Sequence, residues 1–437
     1  MLRRSIRLSH ATAMVAGTII GASIFVQPSE ITGRMPSLGG AAAVWLTAGL
    51  LTLLGSLVVA ELASTFPRSG GVYIFLREAY SPLAGFLWGW AMLWIMHSGI
   101  IAAIAVIFAR YLGYFVPLGP LASRLVAIAA IVVLSVVNYV GVEPGSRLQT
   151  ALTVIKVAAI ALMIVLGLTL FSGKPQVPLS AAVLEGGSPR DFLLALVAAL
   201  FAFGGWHMVT YNAEETIDPR QTIPRALLWG TLIVTVSYVG LNAVYFHVLP
   251  IEQVIASDRI AADAANAVVG FGGGAVMSAL VVVSTFGALT GIILSGPRVY
   301  LAMARDGLLF SRFARLHPRF RTPSDAIVLQ CVWSAILVLS GTYRALFVRV
   351  IYTEWLFFAA LALAIFRLRR RPELRRGFSL WGYPVTPVIF GASALAIVVN
   401  QLMSDPAESL IGLFFLGVGV PVFFFWNRRR APRKEAP

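Results

Sequence analysis

Residues Gly17-Thr-Ile-Ile-Gly-Ala-Ser-Ile-Phe25, followed by Pro28, decide what kind of fold this chain adopts. They interrupt an apolar stretch, because glycine in a helix interior costs about 1 kcal/mol relative to alanine. A similar interruption, Phe201-Ala-Phe-Gly-Gly-Trp206, lies in a second apolar stretch. In a bilayer, unwound backbone survives only where its polar groups line a cavity. We therefore predict two interrupted membrane helices that face a binding site.

Close packing is the alternative explanation of both interruptions. Gly17 and Gly21 form a Gly-xxx-Gly pattern, which is also typical of a helix-packing face. The adjacent glycines before Trp206 are compatible with close packing too. Their joint occurrence favours a site, because interrupted segments at matching positions of two halves mark the binding site of many transporters.

The composition places the chain in a membrane. Of its 437 residues, 58% are hydrophobic and 12% are charged, whereas soluble domains carry about 25% charged residues. A soluble enzyme and a disordered chain are therefore excluded. The net charge of +15 comes from short basic clusters between apolar stretches, so we expect no nucleic-acid partner. The single cysteine, Cys331, excludes an internal disulfide and a multi-cysteine metal site, and we expect no metal and no cofactor.

Twelve stretches are long and apolar enough to cross a bilayer. They cover about 11–32, 39–65, 83–114, 122–141, 149–171, 191–213, 224–249, 268–304, 325–340, 346–367, 385–403 and 409–427. We predict one membrane domain, 1–437, with tails 1–10 and 428–437, core repeats at about 11–171 and 191–367, and two further helices within 385–427. The five-plus-five repeat rests on the placement of the interruptions, because the two halves show no convincing residue-level similarity.

The basic residues predict the orientation. With the N-terminus inside, 25 of the 34 lysines and arginines fall at cytoplasmic ends and loops, and eight fall outside. Short cytoplasmic loops carry such an excess. We therefore predict a multi-pass protein of the plasma (inner) membrane with both termini in the cytoplasm. The one remaining base, Lys156, lies within a predicted span.

Further motifs follow the first interruption along the chain. They are Ala60-Glu-Leu62, Pro67-Arg-Ser-Gly-Gly-Val-Tyr73, Glu214-Glu215, Asp218-Pro-Arg220, Ile223-Pro-Arg-Ala226, Arg305-Asp-Gly307, Arg371-Pro-Glu373 and Trp381-Gly-Tyr-Pro384. Together with the two interrupted stretches, they resemble the amino acid–polyamine–organocation superfamily and, within it, a bacterial-type member of the L-type amino-acid transporter branch.

That resemblance implies an all-α, polytopic, LeuT-type fold. It would contain twelve transmembrane helices, as an inverted repeat of five plus five followed by two C-terminal helices, with helices one and six unwound. It also implies transport of α-amino acids by alternating access, and several members of the branch are obligate exchangers.

The resemblance further implies a site built largely from backbone. A half-helix N-terminus suits the substrate carboxylate, and exposed carbonyls suit its ammonium group. The implied N–H donors are Gly21, Ala22 and Ser23, and the implied carbonyls are those of Ile19 and Phe201 with Ala202 or Gly204. Phe201 would also act as a lid. The family usually reads Gly-Ser-Gly where this chain has Gly21-Ala22-Ser23, so we expect less backbone freedom here.

Lys156 has three interpretations. A lysine within an apolar span costs several kcal/mol unless it is paired or neutral, and its long side chain could reach the nearby membrane surface. Sodium-independent relatives carry a lysine here, which implies that its ammonium replaces the sodium ion by bonding carbonyls near Gly17 and the hydroxyl of Ser284. If burial lowers its pKa, Lys156 could carry a proton instead.

Two further polar residues lie in apolar surroundings. Glu354 is an intramembrane acid and therefore a candidate functional residue, although an interfacial position would explain it equally. His97 lies in the middle of a span that lines the pocket in this family. A lone histidine there can also be a satisfied packing residue.

The leading hypothesis is a sodium-independent exchanger of neutral L-α-amino acids, and the alternative is a proton-coupled symporter that uses Lys156. An intramembrane enzyme lacks support, because no His-Glu-x-x-His or Gly-x-Ser-x-Gly motif and no paired intramembrane aspartates occur. Animal members bind a heavy chain through a cysteine in the loop after span three. Residues Tyr111–Arg124 contain none, so we expect no disulfide-linked heavy chain and only the amino acid and the bilayer as partners.

Overall fold

The computed structural model describes residues 4, 6–140, 146–170, 187–270, 272–320 and 322–428. Its α-helices, numbered in chain order, are α1 Leu8–Ile19, α2 Gln27–Arg34, α3 Leu38–Thr65, α4 Val72–Ala79, α5 Pro82–Ala91, α6 His97–Leu112, α7 Pro120–Val140, α8 Ser146–Thr169, α9 Pro189–Ala202, α10 Pro219–Val248, α11 Ile251–Ala256, α12 Ile260–Val269, α13 Gly273–Arg305, α14 Ser324–Ser340, α15 Tyr343–Arg369, α16 Val385–Ser404 and α17 Pro406–Arg428. Shorter helical segments are the 3₁₀ turns Ser23–Phe25, Trp206–Glu215 and Ser311–Ala314 and the π-turn Met92–Met96.

The fold is all-helical within the described ranges, as the sequence predicts. Nine segments there are long and apolar enough to cross a bilayer. Helix α14 and the apolar part of α8 are shorter. The LeuT-type arrangement and the count of twelve spans stay predictions. The C-terminal tail after Arg428 and the predicted outer loop around Lys174 lie outside the described residues.

Both predicted interruptions occur. The first predicted span consists of α1, a non-helical link, the 3₁₀ turn Ser23–Phe25 and α2. The sixth ends as an α-helix at Ala202 and resumes at Trp206 as a 3₁₀ helix. We call these links the first break (Ile20–Ala22) and the second break (Phe203–Gly205).

Small residues bring helix α10 close to its neighbours. A Cβ atom at Gly230 of α10 would lie 2.5 Å from Val15 Cγ1 of α1, and one at Gly49 of α3 would lie 2.5 Å from Thr235 Cγ2 of α10. Helix packing in lipid depends on such close backbone approach, because lipid tails are as apolar as the helix surfaces. Helix α10 is thereby held against α1 and α3, beside the first break.

Polar contacts close the face of the bundle that carries the N-terminal segment, which we call the N-terminal face. The Ile6 amide donates to the Glu215 carbonyl at 3.1 Å, and the Ile217 amide donates to the Ile6 carbonyl at 2.9 Å. Arg369 donates to both carboxylate oxygens of Glu61, at 2.9 and 2.6 Å. These bonds tie the segment after the second break and the ends of α3 and α15 to one surface.

A second polar cluster on this face joins α4 to the end of α13. The Tyr73 hydroxyl donates to Asp306 Oδ2 at 2.5 Å, and Arg77 pairs with the same carboxylate. Burial, together with the hydrogen bond to Asp306, raises the pKa of the Tyr73 hydroxyl well above its usual range. The hydroxyl therefore stays protonated and continues to donate at any physiological pH.

Candidate functional site

A small, largely enclosed cavity lies between the two breaks. Backbone from both broken helices forms one part of its wall, and side chains from α6, α13 and α15 complete it. Its lining residues are Thr18, Ile19, Gly21, Ala22, Ser23, Ile100, Ile104, Phe201, Gly204, Gly205, Met208, Ile292, Val350, Ile351 and Glu354. Of the predicted substrate-binding residues, only Ala202 is not among them.

The first break exposes backbone donors at the cavity. Ile20 leaves helical geometry at φ −71° and ψ 68°, and the Gly21 amide turns back to donate to the Ile19 carbonyl at 2.6 Å. Within the described chain, the amides of Ala22 and Ser23 donate to no backbone carbonyl. Two of the three predicted N–H donors therefore have free hydrogens beside the cavity, whereas the third is satisfied internally.

The second break depends on a left-handed glycine. Gly205 has φ +88°, a conformation that costs an L-residue about 1–2 kcal/mol. A Cβ there would also lie 2.7 Å from Thr18 Cγ2 of α1. Gly205 therefore allows the chain to turn and the two broken helices to touch.

Tyr238 of α10 bonds to both breaks. Its hydroxyl lies 2.9 Å from the carbonyl oxygen of Ile19 and 3.1 Å from that of Ala202. Two predicted acceptors for the substrate ammonium thus converge on one atom, although Ala202 does not itself line the cavity. A hydroxyl has one hydrogen to donate, so one of these carbonyls is always free of it.

Lys156 reaches the first break, where it contacts a carbonyl of the first span three residues after Gly17 but not Ser284. Its Nζ atom lies 3.5 Å from the Ile20 carbonyl, and the side chain is buried. Gly17 instead packs against α8, where a Cβ would lie 2.2 Å from Thr153 Oγ1. Ser284 lines the same crevice as Lys156 between α8 and α13, yet its hydroxyl has no hydrogen-bond partner within the described residues.

Glu354 and His97 are placed differently. Glu354 is 3% exposed and lines the cavity, so it lies at the site and not at the membrane interface. His97 lies outside the cavity lining, where its Nε2 atom is 2.7 Å from the Ile292 carbonyl. The neighbouring Ile292 faces the cavity instead, so the histidine is a satisfied packing residue.

An aromatic cluster closes the cavity on the face opposite the N-terminal face. The Phe201 ring, predicted to act as a lid, lies 5.5 Å from the Phe347 ring and 6.2 Å from the Tyr343 ring. Tyr343 and Phe347 also line a wider, more open pocket with Gln27, and Gln27 donates to the Tyr343 hydroxyl at 3.0 Å. Phe201 therefore separates the cavity from a vestibule on this face.

Comparison with known proteins agrees with this architecture. The family model described as amino acid permease matches residues 6–424. The chain belongs to the amino acid permease family. The Serine/threonine exchanger SteT of Bacillus subtilis (strain 168) is 32% identical over 98% of both chains. The human Asc-type amino acid transporter 1 is 32% identical over 98% of this chain and 84% of the relative. The human Cystine/glutamate transporter is 30% identical over 98% of this chain and 87% of the relative.

Membership of this family, within the predicted superfamily, places the chain among multi-pass membrane transporters of amino acids. Among the residues that the structure describes, no three His, Cys, Asp or Glu side chains lie close enough together to hold a metal ion.

Two residues of the permease site escaped the sequence analysis. Tyr238 is one of two tyrosines in α10, and nothing in its sequence context indicates that it bonds two distant carbonyls. His207 follows the second break directly, and its Nε2 atom lies 3.7 Å from Glu354 Oε1. Its position beside a predicted break was the available signal.

Proposed function

We propose that this permease exchanges neutral L-α-amino acids across the inner membrane without sodium. The observation that carries this proposal is the cavity between the two breaks, where free N–H groups and carbonyls lie on the same wall. The amides of Ala22 and Ser23 would bind the carboxylate. The carbonyls of Ile19, Phe201, Ala202 and Gly204 are the candidate acceptors for the ammonium group.

Neutral substrates fit the rest of the cavity. Its remaining wall is mainly apolar, through Ile100, Ile104, Ile292 and Ile351. No lysine or arginine is among the lining residues that the structure describes, so a second carboxylate on the substrate would lack a cationic partner.

Lys156 supports independence from sodium. Its amine lies beside the carbonyl of the first break, where a positive charge can bind an oxygen that helix unwinding has exposed. We infer that it holds α1 against α8 and leaves Ser284 as an occasional second acceptor in the same crevice. Transport that uses Lys156 as a proton carrier is the competing proposal.

The wider arrangement belongs to the same proposal. We infer twelve spans, two inverted repeats of five that begin with the broken helices, and both termini in the cytoplasm, as the distribution of basic residues favours. Transport would then alternate between opening the polar N-terminal face and opening the aromatic cluster around Phe201. Exchange is supported by the relative named as a serine/threonine exchanger. We also propose that the chain works without a disulfide-linked heavy chain.

Uptake into liposomes that contain the purified protein tests this function. In sodium-free buffer, liposomes loaded with a neutral amino acid should take up labelled alanine faster than empty liposomes, and added sodium should not change the rate. Equal uptake by loaded and empty liposomes would contradict exchange. Uptake into empty liposomes driven by an imposed pH gradient would favour the proton symporter.

A further inference from the structure

Among the residues that the structure describes, Glu354 is the only acidic or basic one in the cavity lining. It lies on α15 one turn after Val350 and is 3% exposed. Burial of a carboxyl group costs free energy unless hydrogen bonds or a cation compensate for it. The partners of this group therefore bear directly on what the cavity binds.

The neighbours of Glu354 do not satisfy its carboxyl group. Within the described part of the chain, no hydrogen bond reaches it, and the nearest polar contact is His207 Nε2 at 3.7 Å. That nitrogen lies 3.0 Å from the Tyr211 hydroxyl, which donates to Met92 Sδ at 3.7 Å. His207 Nε2 therefore already has a hydrogen-bond partner in Tyr211 that is closer than Glu354.

The position of His207 is fixed, so it cannot easily turn to Glu354. Its ring lies 5.6 Å from the rings of Trp88 and Trp206 and 5.4 Å from that of Phe358. These contacts hold the imidazole toward Tyr211. The carboxyl group of Glu354 consequently meets the cavity with unused acceptor capacity.

The cavity side chains contributed by α6, α13 and the rest of α15 cannot supply a donor. They are Ile100, Ile104, Ile292, Val350 and Ile351, all apolar, whereas the hydroxyl side chains of the lining, Thr18 and Ser23, belong to the first broken span. The polar backbone of the breaks lies on the other part of the wall, where the α-amino and α-carboxyl groups are proposed to bind. A ligand side chain that projects from that backbone would meet a hydrophobic wall with a single polar group.

We propose that Glu354 accepts a hydrogen bond from the side chain of the transported amino acid and selects substrates that carry a donor there. The donor can be a hydroxyl group, as in serine and threonine, or an ammonium group, as in short diamino acids. A substrate with a carboxylate at this position would be excluded by repulsion or by the lack of a donor. This inference rests on the proposed amino-acid transport and specifies its substrate class.

Two pairs of amino acids, each of nearly equal shape, test the inference. Each amino acid competes with the uptake of labelled alanine into proteoliposomes. L-Threonine should inhibit about tenfold more strongly than L-valine, and L-diaminobutyrate more strongly than L-norvaline, because a hydrogen bond to a charged group can contribute a factor of this size. Preference in both pairs, or in the threonine pair alone, supports the proposal. Preference in the diaminobutyrate pair alone also supports it and assigns a cationic substrate. Preference in neither pair overturns it.

Variants at Glu354 assign the preference to this residue. Glu354→Met keeps the length of the side chain and removes the acceptor, so both ratios should fall to about one while alanine uptake persists. Glu354→Gln keeps one acceptor oxygen and should retain part of the threonine preference but lose the preference for diaminobutyrate. Leu363→Ala, at an exposed position of the same helix outside the cavity lining, should retain the wild-type ratios.

The outcomes separate this inference from the proposed function. If the wild-type protein takes up alanine but the inhibition ratios are unchanged in both Glu354 variants, the role of Glu354 is overturned. Amino-acid transport is left intact in that case. Wild-type protein that takes up no amino acid would contradict the proposed function itself. If Glu354→Met is not monodisperse in size-exclusion chromatography, the diaminobutyrate ratio of Glu354→Gln decides.

Discussion

The two breaks achieve the same exposure of backbone by different means. The first break contains no left-handed residue, and Lys156 of α8 donates to its Ile20 carbonyl, whereas Tyr238 contacts the carbonyls that precede both breaks. The second break turns through Gly205, whose positive φ is built into the chain. One break therefore depends on its neighbours, and the other depends mainly on its own backbone.

This difference bears on how each break can respond during transport. Hydrogen bonds from side chains can be exchanged for bonds to a substrate, because the carbonyls accept from either. A left-handed glycine persists whether or not a ligand is bound. We infer that the first break changes its hydrogen bonds when substrate binds, whereas the second break keeps its geometry. We call them the adaptable break and the fixed break, and four substitutions test the difference between them.

The largest effect is expected at the fixed break. Gly205→Ala places a methyl group in a conformation that costs about 1–2 kcal/mol, with a further clash against Thr18 Cγ2 at 2.7 Å. Transport should fall by more than about tenfold, with a lower melting temperature. Uptake and thermal unfolding of the purified protein measure both, and wild-type values would show that the turn can be made without glycine.

Loss of the lysine should nearly match that effect. Lys156→Met keeps a long side chain but removes the donor to the Ile20 carbonyl, so transport should slow by about tenfold if the contact behaves as a charged hydrogen bond. Val154→Met, at an exposed position of the same helix, is the matched control. Equal activity of the two variants would favour the alternative interpretation, in which the Lys156 side chain only extends toward the membrane surface.

Removal of the Tyr238 hydroxyl, which contacts a carbonyl beside each break, should have a moderate effect on transport. Tyr238→Phe keeps the ring contacts with Trp45 and Phe203, at 5.6 and 5.0 Å, but leaves the carbonyls of both breaks without this donor. The apparent KM should change by roughly two- to tenfold, the range of one ordinary hydrogen bond.

Tyr245→Phe provides the control for that measurement. Tyr245 lies on the same helix, and its buried hydroxyl has no hydrogen-bond partner within the described residues. Its loss should leave KM within error of the wild type. A matching change in both variants would attribute the effect to general packing of α10.

The smallest effect is expected at Gly21, the glycine of the first break. Gly21 has no positive φ, and the nearest atom to a Cβ there is the Thr18 carbonyl oxygen at 3.7 Å. Gly21→Ala should therefore change the free energy of unfolding by less than about 0.5 kcal/mol and leave uptake within twofold. A loss as large as that of Gly205→Ala would mean that the first break requires glycine after all.

The structure changes the meaning of the departure from the usual Gly-Ser-Gly motif. The sequence suggested that Ala22-Ser23 costs backbone freedom. Asp218 is the only non-glycine residue with positive φ in the described ranges, so neither Ala22 nor Ser23 occupies a region that favours glycine. The motif therefore tolerates side chains at these two positions.

The sequence by itself determined the class of protein, the positions of the apolar helices and the existence of both breaks. These properties depend on local composition: long apolar runs must form helices in a bilayer, and glycines at Gly21 and Gly205 weaken them. The same reasoning placed Phe201 and the backbone of the first break at one site.

Only the tertiary structure decided which side chains serve that site. In the fold, His97 lies outside the cavity and contacts the Ile292 carbonyl, and Gly17 packs against Thr153. Glu354 lines the cavity, and the Tyr238 hydroxyl lies beside carbonyls 219 and 36 residues away. The physical reason is that periodicity shows which residues a helix can bury, whereas the partner of each buried polar group depends on how distant helices pack. The sequence therefore identifies an isolated polar residue in an apolar span, and only the fold shows which groups it contacts.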